Sequence, residues 1–222
     1  MSTINEYQDR LRSLIPNAED ELDDTSATRS AVIAAVRTYS RLKPRHLAYD
    51  YAGDSATYSF DLPSTFIYDW SIVEGVEYPQ GEQTPTYLDT NLFMLYGGTA
   101  GNFQLRLLQT PATGYTARMS YTAPHTVDNT TDTVPSADFE AICQLAASML
   151  ASELASLYGG TRKSTYEANM VNYRAKSDEW RGISRHFLLN FKMLMGIDAK
   201  SSVPAAAVRS TVTRYNAIFR DM

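Results

Sequence analysis

The side chains able to do acid–base, metal or nucleophilic chemistry are few in this chain and far apart. The three histidines, His46, His125 and His186, stand in no metal-ligand spacing such as H-E-x-x-H. Neither a G-x-S-x-G nucleophile turn nor a phosphate-binding lysine loop occurs. The run Tyr96-Gly97-Gly98-Thr99-Ala100-Gly101 is glycine-rich, but it joins two strand-like runs and has no lysine or helix after it. It reads as a hairpin turn rather than a phosphate cradle. Cys143, the single cysteine, lies among alanines on the apolar side of an expected helix, the setting of an inert thiol; it can form no internal disulfide. Glu74 and Glu77 imitate a glycosidase pair, yet acidic residues are numerous enough for such pairs to arise freely. The run Glu19, Asp20, Glu21, Asp23, Asp24 lacks the alternating ligands and central glycine of a calcium loop and reads as a solvated turn. Asn129-Thr130-Thr131 matches a glycosylation acceptor without a signal peptide to give it meaning. No catalytic residue, metal site or cofactor is expected.

The elements around these residues fall into zones. With 222 residues, 44% hydrophobic and 20% charged, the chain suits one large or two small globular domains. No stretch approaches the roughly 18 apolar residues of a membrane span, and residues 1–12 mix charged with apolar side chains, so neither membrane nor signal peptide is expected. Ile4, Tyr7, Leu11, Leu14 and Ile15 repeat at helical spacing until Pro16. A second helix, capped by Thr25 or Ser26, carries Ala31, Val32, Ala35, Val36, Tyr39 and Leu42 before Lys43-Pro44 ends it.

Residues 47–124 hold 14 of the 25 aromatics but no lysine. Period-two runs at 47–51, 57–62, 71–78, 87–96, 102–109 and 115–122 are separated by proline and glycine turns, the pattern of a small antiparallel β-sandwich or barrel. Tyr58 and Phe60, two apart, are expected on its core face. A third zone returns to helix: Ser136 as cap, the apolar positions Phe139, Ile142, Leu145, Ala146, Met149, Leu150 and Leu157, and a stop at Gly159-Gly160. Ser164-Thr165-Tyr166-Glu167 fits a capping box for a last helix reaching Gly196, with Gly182 as a possible kink. The expected fold class is therefore α+β: a helical bundle from residues 1–46 and 125–196, an inserted β-rich domain at 47–124, and an extended tail at 197–222.

Charge divides the chain again. Residues 1–158 carry 9 basic and 20 acidic side chains, net −11, and residues 159–222 carry 11 and 5, net +6. Such asymmetry suggests surfaces that meet different partners.

The layout resembles the head-to-tail adaptors (connectors) of tailed bacteriophages. The resemblance is carried by Leu11-Arg12-Ser13-Leu14-Ile15-Pro16 and the helix at 31–42, by Phe60-Asp61-Leu62-Pro63 and Val76-Glu77-Tyr78-Pro79, and above all by Asp132-Thr133-Val134-Pro135 before an alanine-rich helix and Ser177-Asp178-Glu179-Trp180 in the next. The β-insertion is larger than a minimal adaptor needs. The resemblance implies a non-enzymatic virion protein at the head–tail interface, assembled in the host cytoplasm. It implies a homo-oligomeric ring, dodecameric, beneath the portal protein, with a tail completion, stopper or nozzle protein attached below. Double-stranded DNA would pass through without sequence-specific binding, an acidic lining letting phosphate slide. The C-terminal segment would dock on the portal through Val203, Ile218 and Phe219 as apolar anchors and Arg209, Arg214 and Arg220 as charged contacts. Ring neighbours would meet through the slim alanine-rich helix and the faces of the β module, by two different surfaces of each subunit. The alternative is a carbohydrate- or receptor-binding phage tail module using the aromatic β zone, Trp70 included.

Overall fold

The computed structural model describes residues 2–16, 18–97, 103–160 and 173–197. The chain is α+β, and it divides into a helical unit, residues up to 43 together with those from 125, and a β unit, 44–124.

The helical unit contains α1 (Ile4–Leu14), α2 (Ala18–Leu22), α3 (Ala27–Leu42), α4 (Phe139–Gly160) and α5 (Tyr173–Leu194). Helices α1 and α3 each bury one stripe: Ile4, Tyr7 and Leu11 on the first, and Ala31, Val32, Ala35, Val36 and Tyr39 on the second. Helix α4 is different. Its buried residues, Ile142, Cys143, Leu145, Ala146, Ala147, Leu150, Ala151 and Leu154 among them, surround the whole cylinder rather than one stripe. Alanine and serine make this possible, because small side chains let neighbouring helices approach from every side. The same composition corrects an expectation: the helix over Ser136–Gly160 is long and apolar enough to cross a membrane, but 67% of its apolar 18-residue window is buried, as befits a core helix.

Helix α5 runs back along α4, and serine hydroxyls seat it. Ser177 Oγ donates to the Ala155 carbonyl at 2.7 Å, and Ser184 Oγ to that of Ser148 at 2.8 Å. Gly182 leaves α5 unbroken. The helix ends in a Schellman turn: Gly196 takes φ +64°, its N–H reaches Met193 O at 3.1 Å, and the Ile197 N–H reaches Lys192 O at 2.9 Å. Ile197 thereby returns to the core.

Several local expectations change. The acidic run is not a solvated turn but contains α2, held by contacts remote in sequence. Arg12 and Thr28 donate to Glu19, and Tyr158 donates to Glu21 at 2.6 Å. Ser26 stands before α3 without capping it. Its N–H and hydroxyl both go to Asp24 Oδ1, at 2.8 and 2.7 Å, a local turn that outcompetes the cap. Ser136 likewise caps nothing; Ser136–Asp138 is a 3-10 turn leading into α4.

The β unit contains β1 (Arg45–Ala52), β2 (Ser59–Asp61), β3 (Val73–Glu77), β4 (Phe93–Gly97), β5 (Phe103–Leu107) and β6 (Thr116–Ala123). They form two antiparallel three-stranded sheets, in the orders β1-β6-β3 and β2-β5-β4. Ala117, Met119, Tyr121 and Ala123 alternate along β6, and Leu105 and Leu107 along β5; together with Tyr51, Val76 and Phe60 they form one core. The Tyr51 and Phe60 rings meet across it at 4.9 Å, so the unit is a small sandwich. The expected run at 87–96 is strand only from Phe93, since Thr90–Leu92 is a 3-10 turn. Gly53 is required by close approach, because a Cβ there would lie 2.3 Å from the Ala112 carbonyl oxygen.

Candidate functional site

The chemistry-bearing residues do not converge. His46 Nδ1 lies 2.8 Å from Glu74 Oε1, the His125 ring lies between main-chain carbonyls, and His186 meets Asn190 in α5. Glu77 accepts from the Gly81 N–H instead of sharing a site with Glu74. Among the described residues no three His, Cys, Asp or Glu side chains gather as metal ligands. Cys143 is fully buried in α4, and burial pushes its thiol up to about 12, far from the thiolate range a nucleophile needs. Strands β4 and β5 pair antiparallel up to Gly97 and Phe103, as a hairpin requires.

Two surfaces stand out instead. The first is the β unit's. Among the described residues, eleven large apolar side chains are exposed there, Tyr58, Ile67, Tyr68, Ile72, Tyr87, Met94 and Tyr96 among them, against five in the helical unit. On the outer face of the β2-β5-β4 sheet the Arg106 guanidinium lies 4.8 Å from the centre of the Tyr58 ring and 5.3 Å from that of Tyr96. Tyr58 precedes β2 and turns to Arg106, so it is not the core residue its spacing suggests. Beside this face, Ser59 Oγ donates to Gln104 Oε1 at 2.9 Å and Gln104 Nε2 to Asp61 Oδ1 at 2.8 Å. A groove of about 500 Å³ follows, lined by Asp61, Leu62, Pro63, Phe66 and the stacked rings of Tyr68 and Phe103. Residues 44–124 carry three basic and eight acidic side chains, net −5.

The second surface is the outward side of α5. Its last two turns expose Leu188, Leu189, Met193 and Leu194, with Met193 at 71%, and Arg181 and Arg185 are exposed before them. The helix carries five basic and two acidic residues, net +3. Sequence reasoning passed over this face. The signal was the Leu188-Leu189 pair, since two adjacent leucines on a helix cannot both point at α4. Conversely, the slim helix expected to meet neighbouring subunits is α4, and its side chains are spent inside the unit. The six residues expected to dock on the portal, Val203, Arg209, Arg214, Ile218, Phe219 and Arg220, lie outside the described residues, as does the capping box at 164–167.

No family model and no curated protein matches the chain. Among solved structures, a chain from the neck of an empty GTA particle, computed with C6 symmetry, is similar at 18% identity and a TM-score of 0.27, over 70% of this chain and 76% of that one. A likeness at that level establishes no shared architecture.

Proposed function

We propose that the chain is a non-enzymatic structural protein of a tailed-phage virion, a head-to-tail adaptor. In this reading it forms a ring beneath the portal, the dodecamer its sequence resemblance implies, extends the DNA channel and offers the attachment site for a tail protein. The observation that carries the reading is the pair of exposed apolar surfaces with opposite charge on one chain: the acidic aromatic sandwich and the basic, leucine- and methionine-rich side of α5. A ring closes by heterologous contacts, which need two different, complementary patches on every subunit. The α5 face replaces α4 as the proposed helical contribution to that contact. Residues 199–222 remain assigned to the portal, with Val203, Ile218 and Phe219 as anchors and Arg209, Arg214 and Arg220 as charge partners.

Electron microscopy of the protein alone and mixed with its portal tests this reading. Rings of twelve copies support it, and a persistent monomer that ignores the portal overturns it. Ending the chain just after Ile197, which keeps that core residue, should abolish portal binding while leaving the fold intact; unchanged binding would remove the docking role of the tail.

The groove beside Tyr68, Phe103 and Asp61 favours a second reading, a carbohydrate-binding tail module, because aromatic rings beside a carboxylate suit a sugar. Glycan binding that is lost on Tyr68→Ala would support it, and a negative glycan array would end it.

A further inference from the structure

His125 is buried, with 7% of its surface exposed, and both of its ring nitrogens face main-chain carbonyl oxygens. Nδ1 lies 2.7 Å from the oxygen of Thr133 and Nε2 lies 3.1 Å from that of Lys43. The backbone is fixed as well: the His125 N–H donates to Ser40 Oγ at 2.9 Å, and that hydroxyl donates to the Val36 carbonyl at 2.7 Å. A carbonyl oxygen can only accept, whereas a neutral imidazole has one N–H and one bare lone pair. A neutral ring here would set a lone pair against a carbonyl at one of the two contacts. An imidazolium donates to both.

We propose that His125 is held as the imidazolium at neutral pH and serves as a protonation-dependent latch. It ties the place where the chain leaves the helical unit to the place where it returns. Lys43 is the last residue of that unit's first segment, and His125 opens the second. Thr133 belongs to the loop that leads on to α4.

The charged groups around the ring are compatible with the cation. Asp138, in the turn before α4, accepts from the Tyr39 hydroxyl at 2.6 Å and from the Lys43 ammonium. The Tyr39 ring, on α3, lies 5.1 Å from the imidazole. Asp138 supplies the opposite charge and Lys43 opposes the ring. Asp132, on the same loop as His125, is turned to the Tyr7 hydroxyl and the Val134 N–H. The Thr133 hydroxyl lies 3.4 Å from Nδ1, a weaker third contact.

Loss of the proton has a direction. The Nε2 contact is the longer, so the neutral ring keeps Thr133 and releases the Lys43 carbonyl. A group whose charged form is favoured on folding gives its full stability below the ordinary histidine value of about 6.5. That stability is lost as the pH rises through the higher folded-state value.

The full chain, labelled with nitrogen-15 at histidine, tests the latch by ring-nitrogen NMR. At about pH 7.5, above the ordinary histidine value, His125 should show two protonated ring nitrogens. A bare nitrogen on His125 at that pH overturns the proposal. His125→Gln, which has only one side-chain donor group and cannot serve both carbonyls in the same geometry, should also lose the wild-type fall in unfolding midpoint at alkaline pH. A variant that keeps the wild-type pH profile overturns the latch; should it fail to fold, the NMR result on the wild type decides alone.

Discussion

The helical unit and the sandwich treat apolar surface in opposite ways. In the helical unit the large side chains face inward except along the outward side of α5, and buried hydroxyls are matched to carboxylates: Tyr7 to Asp132 at 3.2 Å and Tyr39 to Asp138 at 2.6 Å. Burial first, and then the adjacent carboxylate, hold both phenols well above the ordinary tyrosine range. In the sandwich the core is small, and aromatic side chains remain outside, partnered by one another and by Arg106. The first unit closes most of its apolar surface on its own core. The second keeps apolar surface in reserve, as a chain does when part of its burial is completed by a partner.

The sharpest way to break this contrast is inside α4. Leu150→Ala should destabilise the helical unit by about 2–5 kcal/mol, because the ring of helices around α4 cannot collapse into the gap. Denaturant unfolding monitored in the far ultraviolet checks it. A loss of only a few tenths would mean that α4 is not the rigid centre it resembles.

A smaller effect is expected in the sandwich from Gly53→Ala, about 1–3 kcal/mol, since the new methyl must displace the Ala112 carbonyl or break the Gly53 N–H bond to Tyr115 O, now 2.8 Å. Amide hydrogen exchange along β1 and β6 reads this separately from the helices. The same comparison applies to Asp138→Asn, which deprives Tyr39 and Lys43 of their acceptor charge and should cost about 1–2 kcal/mol. Burial raises the Asp138 carboxyl, but donors from Lys43 and Tyr39 outweigh it and leave it lowered. A lowered carboxyl contributes stability above its unfolded value of about 3.9, and that stability is lost as the pH falls through the folded value. The Asn variant should therefore differ from the wild type at neutral pH and converge with it in acid.

What the sequence made legible follows from how local each cause is. The stripe Ile4, Tyr7, Leu11 and the alternation along 116–123 are set by neighbours a few residues away, and both elements form where those patterns lie. The short helix α2 was hidden because Thr28 and Tyr158 hold it from elsewhere in the chain. Ser26 and Ser136 look like caps by residue type, but hydroxyl preference cannot reveal that Asp24 takes the first or that a 3-10 turn absorbs the second. Along α4 the Leu and Ile positions alone trace a stripe, whereas its alanines bury the remaining sides. Tyr58 and Phe60 share a period, but only Phe60 lies within β2 and reaches the core. The outward face of α5 needs its packing partner to be known before either leucine of the pair can be assigned.

The gentlest change on stability should be the most informative about function. Met193→Glu, alone or with Leu189→Glu, replaces side chains that already stand in solvent, so the isolated fold should shift by no more than about 0.5 kcal/mol. If α5 supplies the basic, apolar half of a subunit contact, the same substitutions put carboxylates where an acidic neighbour must dock. Assembly measured by light scattering or electron microscopy should then fail while the unfolding midpoint stays put. Tyr96→Ser on the sandwich should act in the same sense and more weakly, since Tyr58 still covers Arg106. If both variants assemble like the wild type, the exposed apolar surface is not held for a second copy, and the contrast between the two units is one of composition alone.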